Sequence, residues 1–174
     1  ASDVYKRQEP AKAPEQQAWS GTEDFGGAEG AAGLHDNWDD PDGYYRVMLG
    51  EKLQQRYQIF AILGRGIFAT VVRARDLQQN GREVAIKIAR RQETMYKAGM
   101  KEISILQRLS EADPDNKMFI VHFFTHFEHR GHLCMVFESL GLNLREIVKR
   151  FGKDVGLNLQ AVKTYTKQML LALA

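Results

Sequence analysis

Tyr57 to Lys87 reads YQIFAILGRGIFATVVRARDLQQNGREVAIK, and this stretch decides the fold. Within it, Leu63 to Val71 (LGRGIFATV) sets a pair of glycines between two runs rich in β-branched and aromatic residues. The pattern predicts a strand, a glycine loop, a second strand, a turn over Gln78 to Arg82, and a third strand ending near Ile88. Alternation sorts that third strand: Val84, Ile86 and Ile88 face one way, Ala85 and Lys87 the other. A small residue beside a lysine, opposite glycines whose bare backbone admits close approach, points to a nucleotide between them.

Two other phosphate-binding arrangements do not fit. A Walker loop needs Lys and Ser/Thr directly after its second glycine, and Gly66 is followed by Ile67 and Phe68. A dinucleotide fingerprint needs the glycine turn to open a helix, whereas Thr70-Val71-Val72-Arg73-Ala74 reads as strand, which argues against a nucleotide-binding oxidoreductase. What remains is Gly-x-Gly-x-x-x-x-Val followed by Val84-Ala85-Ile86-Lys87, which resembles the start of the protein-kinase signature.

Outward from this stretch the texture changes. Residues 1–43 of the 174 carry three basic and ten acidic side chains, and the remainder 21 and 12. Over residues 1–40, Ala, Gly, Glu, Gln and Pro with scattered aromatics show no sustained period, so an acidic disordered tail is expected. Pro41-Asp42-Gly43 signals a turn, and residues 41–56, with Tyr44, Tyr45, Val47 and Leu49, read as an extended segment packing on the edge of the domain. A lone cysteine, Cys134, excludes an internal disulfide and fits a reducing compartment. No apolar run approaches the roughly 18 residues of a membrane span, so the expectation is a soluble, unsecreted chain without membrane contact.

Beyond the glycine stretch, Met95 to Leu109 predicts a helix with Met95, Ala98, Glu102, Ile105 or Leu106, and Leu109 in one inward stripe. A carboxylate there is solvated at the rim or paired, and Lys87 on its apolar strand has the same need. Pairing the two resolves both, if the helix packs beside the sheet. Two more strands are expected, Phe119 to Phe127 and Leu133 to Glu138, joined by Glu128-His129-Arg130-Gly131. His122, His126, His129 and His132 lack a recognised metal-ligand spacing and read as satisfied surface residues. Asn143 is placed to cap a short helix to Phe151, and Asn158 to cap a last helix through Ala174, apolar nearly all round at its end. Such a helix expects protein on several sides, so the chain alone is expected to associate through Leu159 to Ala174.

Five strands with one helix between the third and fourth, then a linker into helices, resemble the α+β N-terminal lobe of a eukaryotic protein kinase over residues 57–138. Residues 139–174 then correspond to the hinge and the start of the helical lobe. Gly64, Gly66 and Val71 match the glycine-rich loop, with Ala69 in place of its third glycine; Lys87 matches the nucleotide lysine and Glu102 its helix partner. The resemblance implies that Leu63, Gly64, Gly66, Val71, Ala85 and Lys87 line the nucleotide. It also makes Phe137 the gatekeeper, Glu138 to Leu140 the hinge facing adenine, and Asn143 a ribose contact.

GYYRVMLGEKLQQRY, VVRARD, MKEISIL, EADPDN and HLCMVFESLGLNLREIVKRFGKDVGLNL narrow the resemblance to the pre-mRNA-processing kinases of the spliceosome, relatives of the dual-specificity tyrosine-regulated kinases, over about Asp36 to Ala174. That likeness implies serine/threonine phosphorylation with ATP and Mg²⁺, a nuclear location, splicing factors as protein substrates and no direct nucleic-acid contact. The family's basic, serine-rich N-terminal region is not seen here.

A catalytic-loop aspartate and asparagine and a metal-binding Asp-Phe-Gly are needed for transfer. Asp24-Phe25-Gly26 precedes the glycine loop, and His129-Arg130-Gly131 precedes the hinge, so neither stands in the required order. The chain therefore reads as an inactive fragment ending before the catalytic loop. The alternative is a truncated kinase acting as a binding module for the full enzyme's partners.

Overall fold

The computed structural model describes residues 38–153 and 155–174; the rest of the expected acidic tail, with its Asp24-Phe25-Gly26 triplet, lies outside the described residues. Six antiparallel strands form one sheet in the order β1-β2-β3-β4-β6-β5. They are β1 (Lys52–Leu53), β2 (Tyr57–Arg65), β3 (Ala69–Asp76), β4 (Arg82–Ala89), β5 (Phe123–His129) and β6 (His132–Glu138). The helices are α1 (Glu93–Ala112), α2 (Leu144–Ile147), continued by a π-helical turn over Val148–Gly152, and α3 (Leu159–Leu173). No helix among the described residues is long and apolar enough to cross a membrane.

The architecture is that of the expected lobe, with one more strand. β1 is two residues long and pairs Lys52 with Gln58 and Leu53 with Tyr57. The turn behind it runs through Gln54 and Gln55 at φ of 47° and 57°, left-handed positions that here carry no glycine to announce them. β5 starts at Phe123, four residues later than its apolar run suggests. The β5–β6 turn is Arg130-Gly131, at φ of 51° and 80° between the paired His129 and His132. Two central residues with positive φ match the twist of a hairpin, so His129-Arg130-Gly131 is a turn in a sheet.

The sheet has an apolar layer on each face. On one face Val72, Ala74, Val84, Ile86, Ile88, Cys134 and Val136 are buried together with Tyr57 and Ile59. The cover for this face comes from the chain ahead of the sheet: Tyr45 and Leu53 are buried in the same layer, with Trp38 and Val47 packed on it. On the other face, Ala89, Phe123, Leu133 and Met135 bury Ile103 of α1, with Leu106 and Phe137 at the edge.

The stripe by which α1 docks differs from its expected form. Gly99 and Ile103 are its buried residues, whereas Ile105 and Leu109 are exposed. A Cβ on Gly99 would stand 2.6 Å from Cδ2 of Leu133, so a side chain here would require Leu133 to shift. A count of apolar side chains cannot register a contact made by a glycine. The helix begins with Glu93 in its first turn, which suits the positive helix end, and closes at Asp113 before Pro114.

Asn143 caps α2 in a capping box: its side chain accepts from the Glu146 amide, and Glu146 accepts from the Asn143 amide. Asn158 caps α3, on which no described residue is buried and Leu159, Met169, Leu170 and Leu173 are exposed.

Candidate nucleotide site

Register brings the site together. Val71 pairs with Lys87 and Arg73 with Ala85 across β3 and β4, while Lys87 pairs with Met135 and Ala85 with Phe137 across β4 and β6. Residues directly opposite in an antiparallel ladder point to one face. Val71, Arg73, Ala85, Lys87 and Phe137 therefore share the face on which α1 lies, while Val84, Ile86 and Ile88 go to the opposite core.

Lys87 Nζ donates to both carboxylate oxygens of Glu102, at 2.7 and 2.8 Å. The two side chains are 28% and 41% exposed, so the pair is only partly buried. Both readings of Glu102 meet here: it sits at the rim of the α1 stripe, and it is paired. Its position opposite Lys87 follows from Ile103, the next residue, being driven into the core on the sheet side.

Two register shifts in β2, between Ile59 and Ala61 and between Ile62 and Gly64, bend the strand as it enters the glycine loop. Gly64 has open space where a Cβ would stand, and Gly66 donates its amide to the Ala69 carbonyl at 2.9 Å, closing the loop. Ala69, in the place of the third glycine, is itself buried. Leu63 is half-exposed at the entry of the loop.

Phe137 packs edge-on against Phe123 with ring centroids 5.5 Å apart. The Glu138 amide donates to the His122 carbonyl, and the Glu138 carboxylate accepts from the His122 amide at 2.7 Å. Leu140 is exposed, and its carbonyl accepts from the Arg73 guanidinium at 3.2 Å. Arg73 is a residue that motif reading missed, though alternation from Val71 places it on the same face. The side-chain oxygen of Asn143 is engaged as the α2 cap, so a ribose would have to meet its amide nitrogen.

Away from the cleft, the expectation of four surface histidines is corrected at His132, which is buried. Its Nδ1 lies 2.8 Å from the Ala89 carbonyl and its Nε2 2.6 Å from Asp39 Oδ1, 93 positions away in sequence. Both partners are hydrogen-bond acceptors. Asp39 also pairs with Arg91, and Asp40 with Arg65, so residues 39 and 40, placed at the end of the expected tail, are held to the sheet. Burial pushes the Cys134 thiol up from its ordinary range and burial lowers His129. No cluster of three or more metal-ligating side chains occurs among the described residues.

Comparison with known proteins agrees with this geometry. Residues 57–174 match the protein kinase domain. The serine/threonine-protein kinase prp4 of Schizosaccharomyces pombe is 54% identical over 142 residues, 82% of this chain and 30% of that protein. The serine/threonine-protein kinase prpf4B of Dictyostelium discoideum is 45% identical over 142 residues, 80% of this chain and 17% of that protein. The human dual specificity protein kinase CLK2 is 40% identical over 111 residues, 64% of this chain and 22% of that protein. The chain thus spans less than a third of the length of these curated relatives. With the match covering more than half of its residues, the chain belongs to the protein kinase family.

Proposed function

We propose that this chain is the nucleotide-binding lobe of an ATP-dependent serine/threonine kinase that phosphorylates splicing factors in the nucleus. The observation that carries the reading is the Lys87–Glu102 ion pair, formed between β4 and α1 under the glycine loop. In this role Lys87 holds the α- and β-phosphates, Glu102 fixes the lysine, and the backbone of Gly64 to Ala69 covers the phosphates. Ala85, Val71 and Leu63 flank the adenine, the Glu138 to Leu140 backbone faces its polar edge, and Arg73 ties β3 to that hinge. Mg²⁺ would supply charge neutralisation at the phosphates. The described residues hold no group of three or more metal-ligating side chains, and transfer also requires Mg²⁺-binding residues and an aspartate base. The splicing assignment rests on the motif likeness and on relatives such as prp4.

The test is transfer of labelled γ-phosphate from ATP to serine-containing splicing-factor peptides by the complete protein, with peptide mapping of the product. Serine or threonine phosphate that depends on Mg²⁺ is the expected result. Absence of transfer, or label only on tyrosine, would overturn the assignment.

Phe137 supplies a second prediction. Its ring stands opposite Ala85 and packs on Phe123, closing the space behind the adenine position. Phe137→Gly opens that space, so ATP analogues with a bulky group on the adenine amine should become substrates. The preference for them over ATP should shift by at least about tenfold, the scale on which a pocket discriminates apolar bulk. Relative transfer rates with the two nucleotides measure it, and equal use of the analogue by both proteins would show that Phe137 does not guard the pocket.

A further inference from the structure

The glycine loop is held from outside by the segment that precedes the sheet. The Tyr44 hydroxyl donates to the Gly66 and Ile67 carbonyls, 3.0 and 3.1 Å away. Its ring lies between two guanidiniums, with Arg65 Cζ 3.7 Å and Arg90 Cζ 4.5 Å from the centroid. Arg65 is fixed in turn by Asp40 at 2.6 Å. Arg90 joins the two sides: its guanidinium donates to the Asp42 carbonyl at 2.6 and 2.9 Å and to the Ile67 carbonyl at 3.2 Å. Its backbone amide donates to the Phe68 carbonyl at 3.1 Å. Three successive carbonyls at the loop tip, those of residues 66, 67 and 68, are thereby occupied, although the Ile67 and Phe68 side chains are exposed.

We infer that Tyr44 is a positioning residue for the nucleotide: a latch that sets the height of the glycine loop over the phosphates. The inference rests on the kinase reading above. A glycine-rich loop has few conformations closed to it, so its pose has to be imposed by neighbours. Tyr44 imposes it by a route the nucleotide contacts do not use. Its hydroxyl and the two carbonyls lie on the loop's backbone, and Asp40 and Arg90 anchor Tyr44 to the sheet. Turning the carbonyls of residues 66 and 67 toward Tyr44 leaves loop amides other than that of Gly66, which is bonded to Ala69, as the groups free to turn toward phosphate oxygens. The latch acts on nucleotide binding in ground and transition state alike, and so on KM for ATP more than on kcat.

The test uses the complete kinase with Tyr44→Phe, which keeps the ring between its arginines and removes only the donor. Amide hydrogen exchange at Gly66 and Arg90, both bonded within the loop, should quicken by about three- to tenfold, the net worth of one hydrogen bond. KM for ATP should rise by a similar factor, with kcat and the melting temperature unchanged. Loop exchange at the wild-type rate, or an unchanged KM, overturns the latch. Lys87→Met serves as the control for the reading beneath it. It should leave exchange at Gly66 and Arg90 as in the wild type while lowering transfer by about 10²–10³-fold. A Lys87→Met protein with wild-type transfer rates would remove Lys87 from the phosphate site, and the loop exchange and KM of Tyr44→Phe would still decide the latch.

Discussion

Lys87→Met in the complete kinase lowers phosphoryl transfer by about 10²–10³-fold, the loss measured when one preorganised charge-stabilising donor is removed from an active site. The fold survives the change. Lys87 is partly exposed at the cleft, and methionine keeps its length beside Met135, across the ladder. The stranded Glu102 carboxylate is 41% exposed and remains hydrated. An ion pair of that exposure contributes at most about 1 kcal/mol to stability, so activity should fall with little change in melting temperature. Glu102→Gln keeps an oxygen to accept from Lys87 and should cost about three- to tenfold, the difference between a charged and a neutral acceptor. Initial rates at saturating ATP, read beside thermal melts, separate the two effects. A Lys87→Met enzyme with wild-type rates would remove this lysine from the phosphate site.

Arg56→Met should be the most destabilising single change on the lobe's surface. Arg56 donates through Nε and a terminal nitrogen to the two oxygens of Asp76, at 2.8 and 2.6 Å, and the Asp76 side chain is only 5% exposed. Removing the guanidinium leaves a nearly buried carboxylate with the Gln78 amide as a remaining donor. The expected cost is about 2–4 kcal/mol at neutral pH, against the roughly 5–15 kcal/mol of a typical domain. The loss carries a pH signature. The Arg56 hydrogen bonds hold Asp76 below its ordinary value of 3.8, so its contribution is complete above that value and disappears as pH falls through the folded one. In Arg56→Met the carboxyl protonates more readily and its burial ceases to be penalised. Urea melts of both proteins should therefore differ most at pH 7, with the gap narrowing only as pH falls below about 4 and on through the folded value of Asp76. A gap that stays constant across that range would show that Arg56 acts through packing alone.

What the sequence disclosed, and what it withheld, follows from how local each signal is. The alternation of Val84, Ile86 and Ile88 against Ala85 and Lys87 is carried by five consecutive residues, and the sheet obeys it. Lys87 and Glu102 were legible as a pair because each is a charge in an apolar setting. The contact through Gly99 was invisible, since close packing there is marked by the absence of a side chain. β1 was lost for a similar reason, its turn using glutamines where glycine is the usual sign. His132 and Asp39 could not be matched, because nothing local in either residue names a partner 93 positions distant. Tyr44 belongs with them: it reads as one aromatic of an extended segment, and only the folded sheet brings the loop carbonyls to its hydroxyl.

The cover that residues 38–56 lay over the sheet has a consequence for exchange among kinases. The match to the protein kinase domain begins at Tyr57, yet Tyr45 and Leu53 are buried in the same layer as Ile59 and Val72. Each such side chain is worth about 1.5–3 kcal/mol when kept from water. The span matched as a kinase domain and the unit that excludes solvent therefore have different edges. A chimera joined at Tyr57 would set a foreign leader on a surface shaped for this one, with His132 facing whatever now replaces Asp39. Such a chimera should melt lower than one that carries residues 38–56 together with the face they cover.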